Sequence, residues 1–148
     1  MMDDITDFRG QYDFLSNFYA CVVEFDGVDY PTIEHAFQAA KTHDFAKRRI
    51  IRNAATPSEA KRLGRRLQRR DDWYDISLQV MEDLVRQKFT RYPELRQNLL
   101  ETGSAMLIEG NNWNDRFYGA VWDSTQEVWV GENHLGRILM KIRAELRE

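Results

Sequence analysis

Between Tyr30 and Lys41 the chain reads Tyr-Pro-Thr-Ile-Glu-His-Ala-Phe-Gln-Ala-Ala-Lys, and this stretch holds the side chains best spaced for chemistry. Pro31 has no backbone donor and Thr32 can accept from an orphan N–H, so the pattern predicts a helix start. At about 100° per residue, Glu34, Gln38 and Lys41 fall in one narrow stripe, beside an apolar stripe of Ile33, Phe37 and Ala40. A carboxylate, an amide and an amine beside an apolar face are partly desolvated, and these are residue types of general acid–base chemistry. The competing reading is a solvent-facing Glu34/Lys41 ion pair on an amphipathic helix.

A second group lies from Glu109 to Gly119, Glu-Gly-Asn-Asn-Trp-Asn-Asp-Arg-Phe-Tyr-Gly, which has no periodicity and mixes acids, amides and aromatics. It follows Ala105 to Ile108, a short apolar run expected to be a buried strand. Polar loops at strand ends are frequent locations for sites; the alternative is a solvent loop with incidental aromatics. A third group is Gly131-Glu-Asn-His-Leu-Gly136, leading into a final helix with Asn133 expected as its cap. Amides at that helix start are expected to be able to hold an anion.

The elements that must position these groups are legible in part. Residues 8 to 20 read as an irregular, aromatic-rich lead-in with a turn at Ser16-Asn17. Cys21 to Phe25 and Val28 to Tyr30 read as strands joined by Asp26-Gly27, a strong hairpin signal. Asp44 to Ala55 reads as the end of a helix plus a connection. Thr56-Pro-Ser-Glu59 is a capping box for a helix that carries Lys61, Arg62, Arg65, Arg66, Arg69 and Arg70. That basic face is either a phosphate or nucleic-acid contact or a solvated surface, the commoner case in a net-acidic protein.

Asp72 is expected to cap a long helix with the core stripe Trp73, Ile76, Val80, Met81, Leu84, Val85 and Phe89, ended by Tyr92-Pro93. A short helix around Glu94 to Leu100 stops at Gly103, and Val121 to Val130 forms a hairpin around Asp123-Ser124-Thr125. The last helix buries Leu135, Ile138, Leu139, Ile142 and Leu146. The whole reads as α+β: a mostly helical single domain with a small antiparallel sheet.

At 148 residues the chain fits one domain, and a net charge of −3 means that any polyanion binding must be local. Cys21 is the only cysteine, so no intramolecular disulfide can form, and a reducing, cytoplasmic setting is expected. His35, His43 and His134 are scattered, without metal-ligand spacing, and no apolar run approaches the ~20 residues of a membrane span.

Four segments together resemble the NADAR superfamily, also called YbiA-like: Phe14 to Tyr19, Tyr30 to Lys41, Thr102 to Gly119 and Gly131 to Met140. Thr56 to Gly64 and Arg70 to Trp73 match as well, so the resemblance spans nearly the whole chain. One departure is Tyr118, where many members carry Trp; the ring is kept and a hydroxyl is added.

The resemblance implies action on an N-glycosidic bond without metal or cofactor. The expected substrate is a small phosphorylated ribosylamino-pyrimidine, an intermediate of riboflavin synthesis. Alternatives are removal of ADP-ribose from modified guanine, free or in nucleic acid, and a non-catalytic module binding ADP-ribose or NAD. For the glycosidase, Glu34 and then Asp115 are candidates for the carboxylate at C1′, and Lys41 for a Schiff base with a ring-opened sugar. Trp113 and Tyr118 would stack on the base, while Ser16, Asn17, Gln38 and Asn133 fix hydroxyls and the base edge. Arg9 and His134 are phosphate candidates, and Phe18, Glu109 and Gly119 complete the expected binding set.

Overall fold

The computed structural model describes residues 3–148, and these form an α+β fold of α-helices with two small antiparallel sheets, each of two strands. The sequence reading had one sheet. The contacts divide the chain into two compact units, residues 17–91 and a second built from the segment ending at Ser16 with Tyr92–Glu148.

In the unit of residues 17–91, β1 (Val23–Phe25) and β2 (Val28–Tyr30) pair with Val23 opposite Tyr30. Asp26 and Gly27 both take positive φ, 50° and 79°, the backbone of the tight hairpin turn that the Asp-Gly pair favours. The chain then enters α1 (Ile33–Ala39), whose start is fixed by Thr32 Oγ1 accepting the His35 N–H. Every residue of α1 is buried, so it is a central helix and not the amphipathic surface helix of the sequence reading.

Residues 44–55, read as a helix tail and a connection, instead contain a separate α2 (Phe45–Arg52). The Asp44 carboxylate accepts the Ala46 and Lys47 N–H groups, a cap strong enough to start a new helix. In α3 (Pro57–Arg65), Thr56 Oγ1 accepts from the Glu59 N–H at 3.1 Å, while the Glu59 carboxylate turns to Arg62 at 3.4 Å. Only one arm of the expected capping box is therefore made.

Asp72 does not cap α4 (Trp73–Arg91) with its side chain; its carboxylate takes Arg70 Nε at 2.6 Å and Nη2 at 3.1 Å. An arginine fork is a stronger partner for a carboxylate than one amide. The buried stripe of α4 holds Trp73, Met81, Leu84, Val85 and Phe89 as expected, and it also contains Lys88.

In the other unit, a 3-10 helix (Gly10–Leu15) replaces the irregular lead-in, and α5 (Pro93–Glu101) ends near Gly103 with φ 65°. The expected strand at 105–108 shrinks to one parallel bridge, Ile5 with Leu107, made by the Ile5 N–H to Met106 O and the Ile108 N–H to Ile5 O. β3 (Val121–Asp123) and β4 (Val128–Val130) form the second hairpin. α6 (His134–Leu146) buries Leu135, Ile138, Leu139 and Ile142, with Leu146 at the frayed end partly exposed. No helix among the described residues is long and apolar enough to cross a membrane.

The half-made capping box gives a direct check. Thr56→Ala should lower stability by about 1 kcal/mol in urea denaturation, whereas Glu59→Ala should change it by only a few tenths. Equal losses would mean that both arms are made in solution.

Candidate active site

The solvent-facing ion-pair reading of the α1 stripe does not survive the fold. Glu34 is 7%, Gln38 4% and Lys41 7% exposed. Gln38 Nε2 points at Glu34 Oε2 at 3.4 Å, and Glu34 is anchored at the backbone, its N–H donating to Asn17 O at 3.1 Å. The helical hydrogen bonding tightens at its end, with the Lys41 N–H going to Gln38 O, so Lys41 lies just past α1 with its ammonium 5.9 Å from the Phe37 ring. Phe37 in turn packs at 5.1 Å on Trp73.

Two amide oxygens beside this stripe, Asn17 Oδ1 and Gln38 Oε1, are buried and accept no hydrogen bond among the described residues. A buried acceptor left unmet costs ~1–3 kcal/mol, and such groups mark places where a donor from elsewhere is to be received.

α3 packs on α1 and was built for it at one position. A Cβ at Gly64 would lie 1.9 Å from Gln38 Oε1, so only glycine lets the Gln38 side chain occupy this place. The segment after α3 folds back on the end of α1, where the Arg70 N–H donates to Lys41 O at 2.7 Å. The basic residues of this region are therefore not all a remote solvated face.

Burial pushes the Lys41 amine down to about 8, Arg69 adds to this, Glu34 pulls the other way, and Arg65 and Lys61 add smaller depressions. An amine that shares its proton with water near neutral pH can act as acid, base or nucleophile. His35, the neighbour on the same turn, is structural: its ring meets Thr32 Oγ1 at 2.8 Å and Ala54 O at 3.1 Å.

The polar residues of the other unit form a second patch. Asn133 takes φ 52° and makes no side-chain cap; its Oδ1 accepts the Glu109 N–H and its Nδ2 donates to Leu107 O. The expected anion-binding amides are occupied, since the N–H groups of residues 132–135 donate to the carbonyls of 116–119. The start of α6 thus clamps the loop. Asp115 Oδ1 accepts the Phe117 and Tyr118 N–H groups, each at 3.0 Å, so this carboxylate is tied into its own turn.

Gly119 is required by close approach, because a Cβ would stand 2.3 Å from Glu109 O. Trp113 is 56% exposed, and Phe117 lies at 4.9 Å from Tyr118 and 4.5 Å from His134. Arg9 pairs with Asp7 at 2.8 Å on the surface, and the Ser16 N–H closes the 3-10 turn on Asp13 O. Phe18, in the first unit, is exposed beside Asn17. No group of three or more His, Cys, Asp or Glu among the described residues could hold a metal ion.

Sequence reasoning missed Gly64, the contribution of Arg65 and Arg69 to Lys41, and Lys88. Each had a signal: a glycine inside a helix, cations one turn apart on one face, and a lysine at the i+4 and i+7 positions of the Leu84 and Met81 stripe.

A titration of [13C]lysine-labelled protein, assigned with Lys41→Arg, should show one Cε signal with its inflection near pH 8. Below that inflection the folded state carries the cost of a buried ammonium, and that cost disappears as pH rises toward the ordinary lysine value. A Lys41 signal that titrates at ~10.4 would contradict the desolvated amine.

The NADAR domain model matches residues 6–147. The chain is 37% identical over 151 residues to the N-glycosidase YbiA of Escherichia coli K12, covering 99% of this chain and 91% of that protein. It is 40% identical over 137 residues to the riboflavin biosynthesis protein VVA0006 of Vibrio vulnificus, covering 91% of this chain but only 36% of that longer relative. The NMR structure of the E. coli protein YbiA superposes with a TM-score of 0.80 at 37% identity, over 99% of this chain and 87% of that one. The chain belongs to the NADAR domain family.

Proposed function

We propose that this NADAR-family N-glycosidase hydrolyses the C1′–N bond of a small phosphorylated ribosylamino-pyrimidine. One observation carries the reading: a carboxylate, an amide with an unmet acceptor and an amine titrating near 8 are buried together on Glu34, Gln38 and Lys41. The names of the relatives in the riboflavin pathway and in the YbiA group support the substrate class.

Breaking the bond builds positive charge on C1′ and O4′, and a carboxylate held beside it stabilises that charge. In the hydrolytic route Glu34 takes a proton from water as the water oxygen bonds to C1′, the C1′–N bond breaks, and Glu34 passes that proton to the departing nitrogen. In the covalent route the sugar ring opens to a C1′ iminium. Neutral Lys41 adds to C1′, the pyrimidine amine is expelled, and water hydrolyses the Lys41 imine to free the sugar aldehyde. Asn17 and Gln38 receive sugar hydroxyls.

The cations Arg65, Arg69 and Lys61 around Lys41 favour a phosphorylated substrate, and they also suit the pyrophosphate of an ADP-ribosylated guanine. The two are separated by incubating the protein with each compound and measuring released base. Release from the ribosylaminouracil phosphate is expected; release only from ADP-ribosyl-guanosine reassigns the substrate, and none from either removes the glycosidase reading. Glu34→Gln should reduce turnover by at least about a thousandfold (~4 kcal/mol) while binding changes severalfold at most. A Glu34→Gln enzyme of full activity takes Glu34 out of the mechanism. Borohydride added during turnover should trap a sugar adduct on Lys41, and its absence would leave the hydrolytic route.

A further inference from the structure

Lys88 is 1% exposed, the largest side chain so completely buried, yet it sits on the core face of α4 among apolar neighbours. A lysine ammonium in such a place is costly unless it meets a compensating charge. The aromatic rings of Tyr19 and Phe89, each 5.2 Å from its Nζ, return only part of that cost.

The strap of residues 17–24 joins the neighbourhood of this ammonium to α1. Asn17 O accepts the Glu34 N–H at 3.1 Å, and Asn17 Nδ2 reaches Met81 Sδ at 3.5 Å, so one residue joins the first turn of α1 to α4. Two residues further, the Tyr19 ring covers Lys88 Nζ, and Gln87 bonds both backbone groups of Glu24. Met81 and Lys88, seven residues apart, lie on the same face of α4. The first turn of α1, at the Glu34 backbone, and the buried ammonium of Lys88 thus both meet the same short strap.

We infer that Lys88 is a positioning residue of the site, its ammonium serving as the fixed counter-charge of the Glu34 carboxylate. Lys41 is a poor candidate for this permanent duty, because it gives up its proton near pH 8 and is the group that chemistry would consume. The other charged or titratable groups nearby are Lys61 and Arg65 from α3 and Arg69 from the segment after it, which act on Lys41, and Cys21, on which Lys88 and Arg91 both act. Burial raises the Cys21 thiol while Lys88 and Arg91 draw it down, so Cys21 offers Lys88 no negative charge at neutral pH. With Lys88 in place, Glu34 stays an anion in a dry site and is held in one orientation for C1′; without it, a buried carboxylate takes up a proton.

The catalytic half of this inference rests on Glu34 acting as proposed above, and the charge pairing does not, so the test has two arms. In the first, melting temperature is measured for Lys88→Met, Glu34→Gln and the double variant. Lys88→Met should melt well below wild type, and adding Glu34→Gln should recover a large part of the loss. A double variant no more stable than Lys88→Met, failure of both to fold included, overturns the pairing whatever the enzyme's activity.

In the second arm, the pH dependence of kcat is compared for wild type, Lys88→Arg and Lys88→Met. The acid limb should move up by about one pH unit or more in Lys88→Met and stay in place in Lys88→Arg. An acid limb that does not move assigns Lys88 to packing alone and overturns the inference.

Discussion

The constraint on which this structure depends is the complete burial of a seven-residue helix that carries a carboxylate and an amide and ends beside a lysine. Apolar burial would be served better by an apolar helix. Placing Glu34, Gln38 and Lys41 inside costs desolvation that the surroundings must offset. They do so piecewise. Asn17 holds the first turn, the half-space at Gly64 admits Gln38, and Arg70 fastens the end of the helix through Lys41 O.

These same contacts set the electrostatics. Lys41 is close enough to Glu34 for the carboxylate to favour its charged form, but burial and the cations Arg69, Arg65 and Lys61 outweigh that attraction. The outcome is an amine poised near neutrality in a place that excludes water, next to an acid. The polar loop at 109–119 follows a different logic. Its Asn133, Asp115 and Gly119 hold backbone to backbone, and the Trp113 side chain stays more than half exposed. Residues of the same chemical kinds are therefore used in two ways: they anchor backbone in the loop and lie buried side by side along α1.

Local signals were readable and gave the elements: Asp26-Gly27 fixed a turn, and Thr32 and Thr56 fixed helix starts, because each acts on its own backbone within a few residues. The site stripe was readable too, since Glu34, Gln38 and Lys41 are brought into line by helix periodicity alone. What was not readable depends on partners distant in sequence. Whether α1 is covered on all sides depends on elements up to residue 91. Asp72 looks like a cap until Arg70 claims its carboxylate, and Asn133 looks like a cap until Leu107 and Glu109 claim its amide. Lys88 falls on an apolar stripe that periodicity treats as core, so the spacing alone does not single out its charge.

The central claim is that the buried α1 stripe is the working part of the enzyme, and the most direct measurement is the pH dependence of kcat/KM between pH 6 and 10. With Lys41 taking part, the profile must carry an inflection near pH 8 in wild type, and that inflection must vanish in Lys41→Arg. A wild-type profile that is flat across this range, or an inflection that persists in Lys41→Arg, would contradict the account.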